Sequence, residues 1–531
     1  MTMKIVTSGT ASAAVSNQID KLVSSKIASR IFQKDYTLWG KNAEEESAKR
    51  LGWVASAIDS KSLVAKILEL KNDFNSRGID RFVLCGMGGS SLAPEVITAS
   101  ESVDLVVLDS THADQVGAAL AGNINRTALI VSSKSGSTVE TDSQKRIFEK
   151  AFTDAGIDKA DRIVVVTDPG SPMESAARAD GYRVFNADPN VGGRYSALTA
   201  FGIVPSGLAG ANIKRLLEEA EAAAKILSQD STDNPGLILG AALACTPGEM
   251  GYRDKIGVVA DGTEIVGFGD WVEQLIAEST GKQGKGILPI ILRPDSTELH
   301  SGLADLLPVH VQNDAKPVSG DSVSVSGSLG EQFLLWEFAT AVASQLIGIN
   351  PFDQPDVESA KIAARGMLEK RDAEIPANFV SDTVAVNYHQ FEISGESLEA
   401  AISGLLKQVD TDEGYLSIHA YLDRTSASQA ANLRDLFAKR LRRPVTFGWG
   451  PRFLHSTGQY HKGGPARGVF IQITSQPVLD IQVPGRDFTF GQLIKSQAAG
   501  DAKVLSDHGR PVLTLAIGDV MSGLDAIQKA I

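Results

Sequence analysis

The sequence predicts an α/β fold in which a helical N-terminal cap precedes two doubly wound parallel sheets. Between residues 81 and 205, short apolar segments alternate with helical ones, as in a parallel sheet covered by helices. A second series of apolar strands and helices begins near residue 255. Two α/β series of similar size favour a bilobal molecule with its site between the lobes.

Each series supplies its own predicted elements. The strands of the first series are RFVLCG, VDLVVLD, TALIVSS, RIVVVTD and YRVFNA. Those of the second are KIGVVAD, GILPIIL, YLSIHAYL, GVFIQIT and VLTLAIG. Residues 18–75 are expected to be helical, with Trp39 and Trp53 as anchors of the cap, and the segment GDSVSVSGSL is expected to be a Ser/Gly loop. We therefore predict a cap over 1–75, a first α/β domain over 76–230 and a second over 231–531 with insertions and a C-terminal extension.

Composition narrows the functional class. The 531 residues are 43% hydrophobic and carry a net charge of −13, which argues against general binding to nucleic acids or acidic membranes. Two cysteines exclude a disulfide framework and favour a cytoplasmic protein. We find neither a signal peptide nor an apolar run long enough for a transmembrane helix.

The most informative segment is FVLCGMGGSSLAPEVI at residues 82–97, where an apolar strand enters a Gly/Ser loop that opens a helix. Such a junction directs backbone N–H groups at one spot and suits a phosphate. A second junction, TALIVSSKSGSTVET, has the same build and adds the charge of Lys134 to its hydroxyls. Both loops are expected at the carboxyl ends of parallel strands, where they would form one anion site.

These loops do not match the common nucleotide motifs. GMGGSS lacks the G-x-G-x-x-G order of dinucleotide-binding loops, and no G-x-x-x-x-G-K-[ST] sequence is present. Dinucleotide and ATP sites are therefore disfavoured.

Charged residues near predicted helix ends are candidates for acid–base chemistry. Gln274 and Glu278 are four residues apart and share one helix face, which ends in the loop GKQGKG. Glu278 is a candidate general base, although a solvated surface carboxylate has the same local pattern. Arg194, in VGGRYS, could stabilise negative charge or pair with a core carboxylate. Lys361 lies about two turns into the helix after NPFDQP, where an exposed lysine is the simpler interpretation.

Two histidines, His455 and His461, lie in the Gly-containing segment LHSTGQYHKGG. A zinc site needs three or four ligands, and no recognised ligand spacing surrounds these residues. Proton transfer by imidazole is the favoured use, and no metal is expected.

Together the segments GMGGSS, SSKSGSTVET, VGGRYS, QLIAESTGKQGKG, NPFDQPDVESAK and LHSTGQYHKGG resemble the phosphoglucose isomerase family. Among its members, the sequence is most similar to the isomerase half of transaldolase/phosphoglucose isomerase fusions. No transaldolase barrel is expected ahead of the first strand. The resemblance implies two sugar-isomerase α/β domains and reversible isomerisation of glucose 6-phosphate and fructose 6-phosphate through a cis-enediol, without a cofactor.

The resemblance also implies residue roles. Glu278 would be the base, Arg194 would stabilise the enediolate, and Lys361 with a histidine would assist ring opening. The residues around the sugar phosphate and substrate would be Gly89, Ser90, Ser133, Lys134, Ser135, Thr138, Gly193 and Gln274.

The position of the histidine departs from compact bacterial relatives, in which the L-H-S-x-G-Q segment precedes NPFDQP. His455 is preferred because Gly458 and Gln459 also match, and His300 in TELHSGL is the alternative. Two functional alternatives stay open: a dual phosphoglucose/phosphomannose isomerase and a non-catalytic sugar-phosphate-binding regulator. The expected partner is a small sugar phosphate, with no nucleic acid or membrane, and the assembly is either a homodimer or a monomer.

Overall fold

The computed structural model describes residues 3–369 and 376–531, without the side chains of residues 357–361 and 369. Its strands are β1 Lys4–Ser8, β2 Arg81–Gly86, β3 Val106–Leu108, β4 Thr127–Ser132, β5 Ile163–Thr167, β6 Arg183–Asn186, β7 Lys255–Ala260, β8 Leu288–Leu292, β9 Leu306–Val311, β10 Ser322–Ser326, β11 Phe379–Ser381, β12 Val384–His389, β13 Tyr415–Tyr421, β14 Val445–Trp449, β15 Gly468–Ser475 and β16 Val512–Ile517.

The α-helices are α1 Thr10–Ser24, α2 Ile27–Phe32, α3 Glu44–Arg50, α4 Ser56–Asp59, α5 Lys61–Ser76, α6 Leu92–Ser100, α7 Ala113–Leu120, α8 Val139–Asp154, α9 Pro172–Ala179, α10 Ala200–Ala209, α11 Ile213–Leu227, α12 Pro235–Cys245, α13 Phe268–Thr280, α14 Leu329–Ile347, α15 Val357–Glu369, α16 Leu398–Leu406, α17 Leu433–Leu441, α18 Gly458–Gly463, α19 Phe490–Asp507 and α20 Val520–Ala530. Short 3₁₀ helices at Gly88–Ser90, Gly193–Tyr195, Thr297–His300 and Arg452–His455 carry predicted site residues.

The first sheet is fully parallel, with strand order β3-β2-β4-β5-β6. The chain leaves β2 toward β3 on one side, whereas β4 lies on the other side, so the order reverses between β2 and β4. Gly86, the last residue of β2, pairs with Ser132, the last residue of β4. The two predicted phosphate loops therefore start side by side at the switch point of the sheet, the usual ligand position in such folds.

The second sheet has the order β1-β10-β9-β7-β8 and is parallel except for β1. Two expectations are wrong in this sheet. The N-terminal cap is not purely helical, because β1 adds an antiparallel edge strand to β10. The predicted Ser/Gly loop contains β10, whose residues are all buried. Its alternating serine and valine residues hydrogen-bond to strands on both sides, so a central strand forms despite few large apolar side chains.

A third sheet, with order β11-β12-β16-β15-β13-β14, contains the remaining strands. Its β13–β16 core is parallel, and β11 and β12 extend it in antiparallel fashion. The α/β class is confirmed, but the strands of the second predicted series belong to two sheets instead of one. Hydrophobic pattern alone does not specify which strands pair, and the domain boundaries themselves stay a prediction.

Hydrophobic packing ties the three sheets together. One hydrophobic cluster contains residues of both the first and the second sheet. It includes Trp39 and Trp53, the predicted anchors of the cap. Another cluster combines Ile290 of the second sheet with Phe470 of the third. The third sheet is therefore docked against the second by apolar contacts, which places the loop after β14 near the site.

No helix among residues 3–369 and 376–531 has the length and apolar character needed to cross a membrane.

Candidate active site

The Gly-rich loop after β2 is packed against two other loops. A Cβ at Gly88, whose φ is +56°, would lie 2.5 Å from the carbonyl oxygen of His455, and one at Gly89 would lie 2.1 Å from the carbonyl oxygen of Gly193. Larger residues therefore cannot be accommodated at either position without moving backbone. The two glycines bring GMGGSS, VGGRYS and LHSTGQ together at one point.

The side-chain hydroxyls of the loop after β4 form hydrogen bonds within the loop. Ser133 Oγ lies 3.2 Å from Thr138 Oγ1 and accepts a hydrogen bond from the Gly136 N–H, while Ser135 Oγ lies 3.0 Å from Ser137 Oγ. Thr138 is the N-cap residue of α8, directly before Val139. Hydroxyls at the N-terminal end of a 16-residue helix form a favourable environment for an anion.

Lys134 extends from this loop toward Asp168, with its Nζ 2.5 Å from Oδ2. Burial lowers the pKa of Lys134, and the hydrogen bond to Asp168 opposes that effect. The lysine charge is thus balanced by a carboxylate beside the loop, a pairing that the sequence did not indicate.

Gln274 and Glu278 lie on the same face of α13. Gln274 Nε2 donates to Glu278 Oε2 at 3.1 Å and to the carbonyl oxygen of His455 at 2.7 Å. The other amide atom, Gln274 Oε1, is buried and has no hydrogen-bond donor among the described residues. Because a buried acceptor without a partner is costly, this oxygen is suited to accept a hydrogen bond from a ligand hydroxyl.

Arg194 is buried to 98% and contacts Glu278 directly, with Nη1 3.3 Å from Oε1. Its Nε donates to Ser279 Oγ on α13. The other donors hold the turn at residues 350–355: Nη1 donates to Gln354 Oε1, and Nη2 donates to the carbonyl oxygens of Pro351 and Asp353. These bonds fix the guanidinium in place, so it can face a developing negative charge without reorganising.

Lys282 supports the same turn from the end of α13. Its Nζ donates to the carbonyl oxygen of Asn350 at 2.7 Å and to Asp353 Oδ1 at 2.6 Å. Burial lowers the pKa of Lys282 to about 8, and the nearby Arg194 acts in the same direction. Two cations thus connect the NPFDQP turn to the helix that carries Glu278.

His455 ends the 3₁₀ helix Arg452–His455, and its Nε2 lies 2.9 Å from Glu140 Oε1 in the first turn of α8. The same Glu140 oxygen accepts a hydrogen bond from Gln497 Nε2 at 2.7 Å. Thr111 Oγ1 donates in turn to Gln497 Oε1. The carboxylate therefore orients the imidazole and is itself oriented by α19.

The other histidines lie elsewhere. His461 is buried against the third sheet, with Nδ1 3.1 Å from the Tyr415 hydroxyl, and burial lowers its pKa well below the usual value. His300 is exposed in the 3₁₀ helix Thr297–His300, and no hydrogen bond joins its side chain to another described residue. Lys361 lies in α15, but its side chain is outside the described part of the structure.

The structure thus gathers Gly88, Gly89, Gly193, Arg194, Gln274, Glu278 and His455 through direct contacts. Sequence reasoning missed Glu140, Lys282 and Gln497 as members of this arrangement. Glu140 lies within the quoted segment SSKSGSTVET and could have been noticed as a carboxylate at a helix start. Gln497 offered no signal, since it reaches Glu140 only through the fold.

Within the described residues, no group of three His, Cys, Asp or Glu side chains is arranged to hold a metal ion.

Comparisons with known proteins agree on one family. Residues 62–286 match the family model described as phosphoglucose isomerase. This range contains Arg194, Gln274 and Glu278 but ends before NPFDQP and LHSTGQYHKGG.

Curated relatives carry related names. The chain is similar to a probable glucose-6-phosphate isomerase of Haloarcula marismortui, with 35% identity over 39% of this chain and 48% of the relative. It therefore spans about half the length of that relative. A probable glucose-6-phosphate isomerase of Natronomonas pharaonis is 27% identical over 62% of this chain and 87% of its own. A glucose-6-phosphate isomerase of Clostridium tetani is 27% identical over 61% and 88%.

Two solved structures share the fold. A hypothetical protein from Thermus thermophilus has a TM-score of 0.60 at 22% identity and covers 69% of this chain and 100% of its own. A glucose-6-phosphate isomerase from Chlamydia trachomatis has a TM-score of 0.51 at 20% identity, covering 63% of this chain and 75% of its own. The similarity to transaldolase fusions stays a prediction. The family model and the curated relatives thus show that the chain is similar to phosphoglucose isomerases, with the family match over residues 62–286.

Proposed function

We propose that this protein is a glucose-6-phosphate isomerase, which interconverts glucose 6-phosphate and fructose 6-phosphate through a cis-enediol. The observation that carries the proposal is the contact of Glu278 with both Gln274 and Arg194. A carboxylate beside a fixed guanidinium meets the needs of an aldose–ketose shift, in which a carbon-bound proton is removed while negative charge grows on oxygen.

The proton balance is simple. Glu278 takes the proton from C2 of the open aldose, which leaves an enediolate with its negative charge on O1. The hydroxyl proton of O2 then passes to O1, and Glu278 returns its proton to C1, so that C2 becomes the ketone carbonyl and the carboxylate is regenerated. Arg194 Nη1, 3.3 Å from the carboxylate, stabilises the enediolate oxygen. Gln274 Oε1 accepts a hydrogen bond from a sugar hydroxyl and keeps the substrate in register.

Ring opening requires a separate proton transfer. His455, held by Glu140, exchanges a proton with the ring oxygen and the anomeric hydroxyl, and Lys361 assists. The preference for His455 over His300 is supported by the contact of the His455 backbone with Gln274. The sugar phosphate is assigned to the loops that contain Gly89, Ser90, Ser133, Lys134, Ser135, Thr138 and Gly193.

The proposal also covers the metal requirement, the cellular compartment and the assembly of the protein. The reaction runs without a metal, since each step has a protein acid, base or cation. The protein works in the cytoplasm, an assignment supported by the low cysteine content. We also propose that the protein forms a homodimer and has no nucleic-acid partner.

The test is conversion of fructose 6-phosphate by chelator-treated wild type, Glu278→Gln and the control Glu69→Gln, which alters an exposed carboxylate on α5. Removing a general base lowers kcat by about 100- to 10,000-fold, whereas the control keeps wild-type turnover. Retained activity in Glu278→Gln would contradict the assignment of the base. Sugar-phosphate binding without turnover in the wild type would favour a regulator, and turnover of mannose 6-phosphate would extend the substrate range.

A further inference from the structure

A cavity lies beside the candidate active site. Its volume is about 300 Å³, and its walls come from α6 and α13 on one side and from β14 and the 3₁₀ helix Arg452–His455 on the other. This volume is at the lower end of the range for small-molecule sites. None of the described side chains assigned to catalysis or sugar-phosphate binding lines it.

Four arginines line the cavity, and each has a carboxylate partner. Arg424 Nη1 lies 2.7 Å from Glu95 Oε1, and Arg452 Nε lies 3.2 Å from Asp109 Oδ2. The other two, Arg293 and Arg434, are paired with Asp435, and Arg434 also with Glu298. The cationic side of the cavity is therefore neutralised by its own surroundings.

Two lining carboxylates have no such partner. Asp270 and Glu273, one turn apart on α13, form neither a hydrogen bond nor an ion pair through their side chains with any described residue. Glu273 is 91% buried, whereas Asp270 is open to solvent. Burial raises the pKa of Glu273 well above its ordinary value, the proximity of Asp270 acts in the same direction, and Arg452 opposes them without reversing the shift. The buried Glu273 is thus destabilised as an anion by the lack of a paired cation.

The opposite wall is aromatic. Phe447 and Trp449 lie at alternate positions of β14, with ring centroids 4.9 Å apart, and both line the cavity. An aromatic face beside unpaired carboxylates is complementary to an ammonium group attached to an apolar body.

We propose that this cavity binds a small organic cation, with its ammonium group between Asp270 and Glu273 and its apolar part against Phe447 and Trp449. Such a ligand supplies the charge that the two carboxylates lack, and anionic compounds are rejected for the same reason. The probe that tests the site is phenethylammonium, with neutral 2-phenylethanol and anionic phenylacetate as matched comparison compounds.

The site is also connected to the candidate active site. Glu273 directly precedes Gln274, and Ser456, which lines the cavity, directly follows His455. The hydrogen bond from Gln274 Nε2 to the His455 carbonyl oxygen thus joins the two walls. Occupancy of the cavity acts on both partners of that bond.

The experiment is isothermal titration calorimetry on the full chain. We expect phenethylammonium to bind the wild type with one site per chain, and to bind Asp270→Asn/Glu273→Gln at least about tenfold more weakly. Glu278→Gln and the exposed-carboxylate control Asp233→Asn should bind as the wild type does. Trp449→Leu should bind phenethylammonium more weakly than the wild type does. The variant should still bind phenethylammonium more tightly than 2-phenylethanol or phenylacetate.

Two outcomes would overturn the proposal. One is equal binding of phenethylammonium and 2-phenylethanol to the wild type, which is informative even if the double variant fails to fold. The other is loss of binding in Glu278→Gln with retention in the double variant, since the cation would then occupy the sugar-phosphate site. Neither readout depends on isomerase activity, so failure here is distinguishable from failure of the proposed reaction.

Discussion

Buried charged side chains in this protein differ in whether they have a hydrogen-bond or ion-pair partner. Arg194 and Lys282 are buried cations whose donors are directed at Glu278 or at the turn of residues 350–355. Glu337 is the contrasting case, because both of its carboxyl oxygens are buried on α14 without a hydrogen-bond donor among the described residues. Partnered charges hold the site, whereas burial without a partner raises the pKa of Glu337.

Glu337 gives a prediction about stability and pH. Burial raises the pKa of Glu337 well above 4.5, so the folded protein keeps a proton that the unfolded chain releases. Wild-type stability therefore falls as pH rises from about 4.5 toward the folded pKa. We expect Glu337→Gln to be more stable than wild type by about 1–3 kcal/mol at pH 8, with the gain shrinking toward pH 4.5.

Denaturant unfolding at several pH values measures this difference. Glu69→Gln serves as the exposed control and should follow the wild-type curve. If Glu337→Gln shows the same dependence on pH as wild type, the carboxyl is ionised in the folded protein and our assignment is wrong.

At the scale of elements, α19 links two parts of the site region. Gln497 contacts Glu140, and Asp501, one turn later, pairs with Lys462 on α18 at 2.7 Å. Both Asp501 and Lys462 are almost completely buried. One helix therefore orients the partner of His455 and anchors the helix that follows His455 in sequence.

The Asp501–Lys462 pair gives a second prediction. We expect Asp501→Asn to cost about 3–5 kcal/mol, because Lys462 becomes a buried charge without a carboxylate. Asp507→Asn removes the exposed pair between Lys503 and Asp507 on the same helix and should cost less than about 0.5 kcal/mol. Equal losses in the two variants, measured by thermal or urea unfolding, would contradict the role of burial.

The pH dependence of this pair has the opposite sign from that of Glu337. Burial opposes ionisation of Asp501, but Lys462 and His419 together outweigh it and hold the pKa of Asp501 below its ordinary value of 3.8. The stabilisation is thus present above that value and is lost as pH falls through the lower folded pKa.

Elements with strong periodic patterns could be predicted from the sequence, and others could not. The apolar segments RFVLCG and TALIVSS correspond to β2 and β4, and their loops lie side by side as expected. In contrast, the sequence SVSVS predicts a loop but forms β10, because its burial comes from neighbouring strands. The third sheet could not be separated from the second for the same reason, since pairing partners are distant in sequence.

In the candidate site, too, some residues could be predicted from the sequence and others could not. Arg194 and Glu278 lie in segments with recognisable residue patterns, and the match to the phosphoglucose isomerase model includes both residues. Glu140 and Gln497 are brought to His455 by three-dimensional packing, and the unpaired state of Asp270 and Glu273 depends on partners that only the fold defines.

For the molecule as a whole, the contacting site residues come from one chain. Glu278 lies on the helix between two strands of the second sheet, whereas His455 follows a strand of the third. Their connection through Gln274 is intramolecular. A second copy is therefore not required to supply these groups.

This organisation predicts that specific activity is independent of association. We expect constant turnover per chain when the protein is diluted from concentrations that favour a dimer to those at which light scattering reports monomers. A fall in specific activity that follows dissociation would mean that a neighbouring subunit completes the site.

The contact of Gly88 with the backbone of His455 joins two segments that are synthesised at different times. Ribosomes make the N-terminal part of a chain first, and domains generally fold as they emerge. The phosphate loops and the helix with Glu278 are therefore synthesised before the segment that carries His455. His455 is therefore the last of the proposed catalytic residues to be synthesised, and Gln497, which holds its partner Glu140, follows it.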